Sequence, residues 1–306
     1  MKNDELRSIQ SQIAQVTKLL SKMGAGDVFA RAGFESRLKE LTARLAVERP
    51  FKFESRLTFN GLPVVGSHGI SAFFGAKAIA AFSEAVSAIG ASLRGNLSAK
   101  GPVTDRADFD MLITGTARGS FGFDLESRNA SLIEGGAVQE AVERAQIVLE
   151  ASIKEADEEL AEAVVDLDRR ALVAVRNFTE IMAQNGAYCT VMTDRRTFSF
   201  ANSMEVAVSS ARLSEENIVE EEMELVGALI GVLPESRNAE FRDGSGAILK
   251  GKVERSVGDL SGWNEFLDKV GTIACRITTV GDGKPKYLFI SAPRPTGGAQ
   301  LSLPPS

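Results

Sequence analysis

AEFRDGSGAILKGKVER, residues 239–255, is the stretch that decides the fold. Ala239–Arg242 and Ala247–Arg255 read as strands, and Asp243-Gly-Ser-Gly246 between them carries the residues of a tight turn. Upstream, Met223–Val232 is a strand-like apolar run that ends at Pro234. Downstream, Leu260–Val270 has a helical pattern holding Trp263, Phe266 and Leu267. Thr272–Val280 reads as a fourth strand, turned by Gly281-Asp-Gly283, and Tyr287–Ile290 as a fifth. Three strands, a helix and two strands is the element order of the five-stranded Greek-key barrel called the OB-fold. An SH3-like small barrel is the second fit. The expected unit covers residues 219–294, and the polar, proline-bearing tail 295–306 is expected to be disordered.

Ahead of the barrel, residues 51–214 read as an α+β body. Phe51, Phe53, Leu57 and Phe59 alternate with polar residues as in a half-buried strand. Asn60-Gly61 suggests a hairpin turn, with Leu62–Val65 returning. Ser71–Leu93 is a small-residue-rich helix. A second hairpin is expected from Phe109–Thr114 and Ser120–Glu126, helices over 136–163 and 167–185, a strand pair at Ala187–Met192 and Thr197–Phe200, and a short helix at Ser203–Leu213. Glu215–Glu224 reads as an acidic linker.

Residues 1–50 show the clearest helical period. Leu6, Ile9, Ile13, Val16, Leu20 and Met23 follow spacings of 3, 4, 3, 4 and 3, and Phe34, Leu38, Leu41 and Leu45 continue after Gly24-Ala-Gly-Asp27. Pro50 stops the second run. The pattern predicts a helical hairpin, packed on the body or serving as a homo-oligomer arm. The fold class is therefore α+β: an N-terminal helical hairpin, a central α+β body and a C-terminal OB-like or SH3-like five-stranded barrel.

With 306 residues, 44% apolar and 25% charged, the chain has the material for about two domains and needs no covalent staples. Residues 1–225 hold 25 Lys/Arg against 33 Asp/Glu, whereas residues 226–306 hold 10 against 8. The C-terminal part is mildly basic on an acidic body, short of a strong nucleic-acid footprint. Cys189 and Cys275 lie far apart and read as free, buried thiols of a reducing compartment. The polar start MKNDELRSIQ lacks the apolar core of a signal peptide, and no run of about 18 apolar residues predicts a membrane span. A cytoplasmic protein is expected.

Three features bear on chemistry. The only histidine, His68, sits in LPVVGSHGI, residues 62–70, a glycine-flanked corner before a helix. Such a corner presents backbone N–H groups that suit an anion. However, Gly69-Ile-Ser-Ala-Phe-Phe-Gly75-Ala76-Lys77 departs from the phosphate-loop pattern in spacing and in its missing Gly-Lys pair, so turn geometry explains the glycines better. Asp105, Asp108 and Asp110 form a carboxylate group, the last two on one face of an expected strand, the donor type that Mg²⁺ takes. Gly66-Ser67 followed by Asp108-x-Asp110 loosely resembles the nucleotidyltransferase pattern, with a gap far longer than that family's. The plain alternative is the solvent face of an edge strand. In the barrel, Lys250, Lys252 and Arg255, with Lys284, Lys286 and Arg294, surround Phe241, Tyr287 and Phe289. OB-folds stack bases on aromatics over a basic groove.

No constellation outweighs its structural alternative. The sequence therefore points to a non-enzymatic binding or assembly protein without metal or cofactor, an accessory subunit of a bacterial multi-component complex such as one handling nucleic acid or defence. Its barrel would dock a protein partner or a single nucleic-acid strand through Lys250, Lys252, Arg255, Lys284, Lys286 and Tyr287. The rival is a metal-dependent enzyme acting on a nucleotide or phosphate substrate at His68, Asp108 and Asp110.

Overall fold

The computed structural model describes residues 2–23, 28–48, 53–95, 106–117, 121–128 and 136–295. The first two elements are helices, α1 (Lys2–Lys22) and α2 (Val28–Glu48). They pack on each other through buried Ile9, Val16 and Leu41, with Ile13, Leu20, Phe34 and Leu38 against them. These are positions of the apolar seam read from the sequence. The expected turn at 24–27, Pro50, Phe51, Asp105, Ser120 and the tail beyond 295 lie outside the described residues, as do the side chains of Leu6 and Leu45.

The body begins with β1 (Glu54–Gly61), followed by β2 (Val64–Val65), β3 (Gly69–Ile70) and α3 (Ala72–Leu93). After a 3-10 turn at Arg106–Phe109 come β4 (Met111–Ala117), β5 (Phe121–Ser127), α4 (Ala137–Ser152), α5 (Asp157–Val164), α6 (Arg169–Gln184), β6 (Ala187–Thr193), β7 (Thr197–Ser199) and α7 (Ser203–Arg212). Five strands form one antiparallel sheet in the order β4-β5-β1-β6-β7. The strand period of two buries Leu57 and Phe59 of β1, Leu125 of β5, Cys189 and Val191 of β6 and Phe198 of β7 in one core with α3, α4 and α6. The opposite face carries the Arg56–Asp124 ion pair at 2.7 Å and the Thr190–Ser199 hydroxyl pair at 2.7 Å.

Ser71 caps α3 by accepting a hydrogen bond from the Phe74 amide. Thirteen residues of α3 are buried, many of them alanine, so α4 and α6 approach closely and Phe82 meets Phe178 with ring centroids 5.4 Å apart. Lys77 and Glu84 interrupt its apolar run. Even so, among the described residues α3 is long and apolar enough to cross a membrane, with a window of mean hydropathy 1.4.

Several local expectations change. Val64–Val65 does not return along β1 but pairs with Gly69–Ile70. At Gly61 (φ +101°) a Cβ would lie 2.2 Å from the Gly186 carbonyl oxygen, and the chain turns away there. The helix expected over 136–163 is broken into α4 and α5. Phe109 belongs to the 3-10 turn rather than to a strand.

The C-terminal unit consists of β8 (Ile218–Leu233), β9 (Asn238–Asp243), β10 (Ile248–Val253), a 3-10 turn at Ser261–Phe266, β11 (Val270–Val280), β12 (Lys286–Phe289) and β13 (Arg294–Pro295). β8, β9 and β10 form an antiparallel meander. β12 pairs parallel to β10 and antiparallel to β11, and β11 returns antiparallel to β8. The five strands β8-β9-β10-β12-β11 thus close into a barrel around Leu229, Phe241, Val253, Ile273, Cys275 and Phe289, with Trp263 buried beside them. The expected turn holds as chemistry: Asp243 accepts from the amides of Ser245 and Ala247, each at 2.9 Å. Of the acidic segment read as a linker, Ile218–Glu224 is instead the start of β8, which pairs with β11 along Ile218–Ala228 and with β9 only from Gly227 onward. The helical pattern at 260–270 gives only the short 3-10 turn. Among the described residues the barrel shares no sheet with the body, but its Ile218 and Val280 are buried in the body core.

Candidate binding surface of the barrel

Of the basic residues singled out in the barrel, four are engaged in ion pairs. Lys250 meets Glu240, its cross-strand neighbour on β9, at 2.8 Å. Lys252 reaches across to the body, 3.0 Å from Glu162 of α5 and 3.6 Å from Asp166. Lys286 shares Glu162 at 3.3 Å. Arg255 donates to the Leu93 carbonyl at the end of α3 (3.1 Å) and to Glu140 of α4 (3.2 Å). Lys284 is exposed on the β11–β12 turn, and Arg294 is exposed on β13. Burial raises the Glu162 carboxyl, but its hydrogen bonds and charge pairing with Lys252 and Lys286 outweigh that, leaving it below the ordinary value.

The aromatics divide. Phe241 and Phe289 are barrel core, at most 1% exposed, with ring centroids 6.3 Å apart. Tyr287 is half-buried. Burial raises its phenol pKa, and the Cys275 and Asp243 charges add to this. Gly251, opposite Tyr287, leaves room for that packing: a Cβ there would lie 2.6 Å from the Tyr287 carbonyl oxygen.

Beside Tyr287 a groove of 520 Å³ opens, with Val165, Val232, Leu233 and Ala239 along it and Lys250 and Glu162 at its rim. Leu233 is 64% exposed there. The sequence reading missed this apolar component. Its only trace in the sequence is Val232-Leu233, an apolar pair directly before Pro234.

A larger, polar cleft of 810 Å³ lies between the end of α3, the α5–α6 corner and the barrel, with Arg94, Asp168, Arg237 and Arg255 in its wall. Its arginines are held. Arg237, at φ +51°, donates to the carbonyls of Val253, Glu254 and Val257, and burial followed by the Arg255 charge lowers its pKa. Arg94 pairs with Asp108 at 2.6 Å and lies over the Phe109 ring.

His68 is exposed at the tip of the β2–β3 ribbon, its amide donating to the Val65 carbonyl. Asp108 sits at the opposite end of α3, bound to Arg94, and Asp110 pairs with Arg128 at 2.7 Å. A helix of 22 residues separates the ends by about 33 Å. The imidazole and the two aspartates are therefore not brought together, and among the described residues no group of three or more His, Cys, Asp or Glu side chains is placed to hold a metal. Compared with protein-family models, curated proteins and solved structures, the chain matches none of them.

Proposed function

We propose that this chain is a non-enzymatic binding and assembly protein, a cytoplasmic accessory subunit of a multi-component complex, whose barrel docks a protein partner. The finer architecture in this reading is an OB-type barrel and an antiparallel hairpin of α1 and α2. The strand order β8-β9-β10-β12-β11, with its one parallel junction between β10 and β12, supports the OB assignment.

The observation that carries the reading is the groove beside Tyr287. Its lining is apolar and its lysines are already matched by Glu240, Glu162 and Asp166. Binding a phosphate backbone relies on cations that release counterions, which lysines committed to carboxylates supply poorly. An apolar groove with a paired, polar rim suits the side chains of a protein partner. A single-stranded nucleic acid is the second reading, supported by exposed Lys284 and Arg294.

One comparison separates the two. Proteins retained from the native host by the wild type are compared with those retained by a Val232→Asp/Leu233→Asp variant. A labelled single-stranded DNA and RNA are titrated in parallel between about 50 and 200 mM salt. Loss of a specific protein from the groove variant, with no strand binding at the upper salt, supports the protein reading. Strand binding that persists and weakens in Lys250→Ala/Lys252→Ala replaces it with the nucleic-acid reading.

A further inference from the structure

β8 is longer than either of its neighbours requires. It pairs with β11 from Ile218 to Ala228, whereas β9 reaches it only from Gly227 onward. Along Val219–Val226 the second edge of β8 has no paired strand among the described residues. Eight residues of open edge present about 27 Å of backbone donors and acceptors. The side chains on this edge are of two kinds. Val219, Met223 and Val226 are 48%, 46% and 40% exposed. Glu221, Glu222 and Glu224 are exposed acids and Glu220 is half-buried, with Arg276 answering Glu222 at 2.9 Å.

We propose that the open edge of β8 takes an extended, lysine- or arginine-rich peptide segment of a partner by strand addition. Backbone hydrogen bonds would supply the register, the exposed valines and Met223 the apolar contacts, and the glutamates the selection for basic side chains. The same charges argue against a second copy as occupant. Two such strands side by side would set glutamates against glutamates, the means by which proteins keep free edges from pairing with themselves. The site is separate from the groove beside Tyr287, so either can fail without the other.

The test uses the full chain and a fluorescein-labelled, end-blocked peptide alternating lysine and valine over seven residues, with a glutamate–valine peptide as its opposite. The basic peptide is expected to bind and the acidic one not. Binding is expected to weaken at least about tenfold in Glu221→Lys/Glu224→Lys, exposed positions whose replacement leaves the barrel core untouched. Amide hydrogen exchange of residues 219–226 is expected to slow in the complex. Failure of the basic peptide to bind, equal binding by the charge-reversed variant, or binding without slowed exchange over 219–226 each overturns the proposal, the last by reducing it to unspecific charge attraction.

Discussion

Lys252 of β10 extends its ammonium to within 3.0 Å of the Glu162 carboxylate of α5, across the seam between barrel and body. Lys286 of β12 holds the other oxygen of the same carboxylate at 3.3 Å, and Asp166 adds a second acceptor for Lys252 at 3.6 Å. A pair of lysines that reads in the sequence as a cationic face therefore ties the barrel to the acidic side of a body helix. Arg255, bound to the end of α3 and to Glu140, is a second strut of the same kind.

The seam should respond to acid. The Glu162 carboxyl is held below its ordinary value of 4.5 in the folded protein. A depressed carboxyl contributes stability that is present above 4.5 and is lost as pH falls below it. Glu162 is 54% exposed, so Glu162→Gln is expected to cost no more than about 1 kcal/mol at neutral pH. Urea melts at pH 7 and at pH 4 or below check this: the gap between wild type and variant should shrink on acidification.

Glu220 has the opposite sign. Burial raises its carboxyl pKa, Arg276 and Arg169 pull it down, and Asp168 and Glu222 push it up again, with a net rise above 4.5. A raised carboxyl opposes folding once it ionises, so its contribution worsens as pH climbs from 4.5 through the raised value. Glu220→Gln does not titrate. The variant is expected to match the wild type in acid and to melt at a higher temperature at pH 7.

Both thiols should be silent in the native protein. Cys189 lies in the body core and Cys275 in the barrel core. Burial raises both pKa values, that of Cys275 to about 11, so the thiolate that reacts is scarce at pH 8. A colorimetric disulfide reagent is expected to release no signal from the folded chain and two equivalents in denaturant. Because the two cysteines report on separate cores, stepwise release along a urea series would show body and barrel opening independently.

What the sequence discloses follows from how local the deciding chemistry is. The turn at Asp243–Gly246 is legible because one carboxylate organises it from within four residues. Such turns set the antiparallel neighbours β9–β10 and β11–β12, whereas the β10–β12 and β8–β11 junctions join strands distant in sequence. The start of β8 is not legible. Ile218–Glu224 is dominated by glutamates, and it becomes strand because β11 pairs with β8 at eleven positions, a partner that lies far along the chain. The roles of the barrel lysines are hidden for the same reason, since no sequence pattern places Glu162 opposite Lys252. Asp108 and Asp110 keep the two-residue spacing that suggests a shared face, yet a 3-10 turn carries the first and each finds its own arginine.

Two glycines inside helices should give opposite answers to the same substitution. Helix propensity alone makes Gly→Ala favourable by about 1 kcal/mol in a helix interior. At Gly33 of α2, nothing lies within 4 Å of an added Cβ, so Gly33→Ala is expected to stabilise that helix by up to this amount. At Gly90 of α3, the Cβ would fall 2.1 Å from the Phe109 ring, which is fully buried and covered by Arg94 at 4.7 Å. The ring cannot stay, and overpacking of this kind costs about 1–3 kcal/mol, more than propensity returns. Gly90→Ala is therefore expected to lower the urea midpoint and loosen the Arg106–Phe109 turn, freeing the Arg94–Asp108 pair. Gly90→Ala combined with Phe109→Leu, which shortens the side chain at the clash, should recover part of the loss. If Gly90→Ala were as stable as the wild type, the packing of Phe109 against α3 would be wrong.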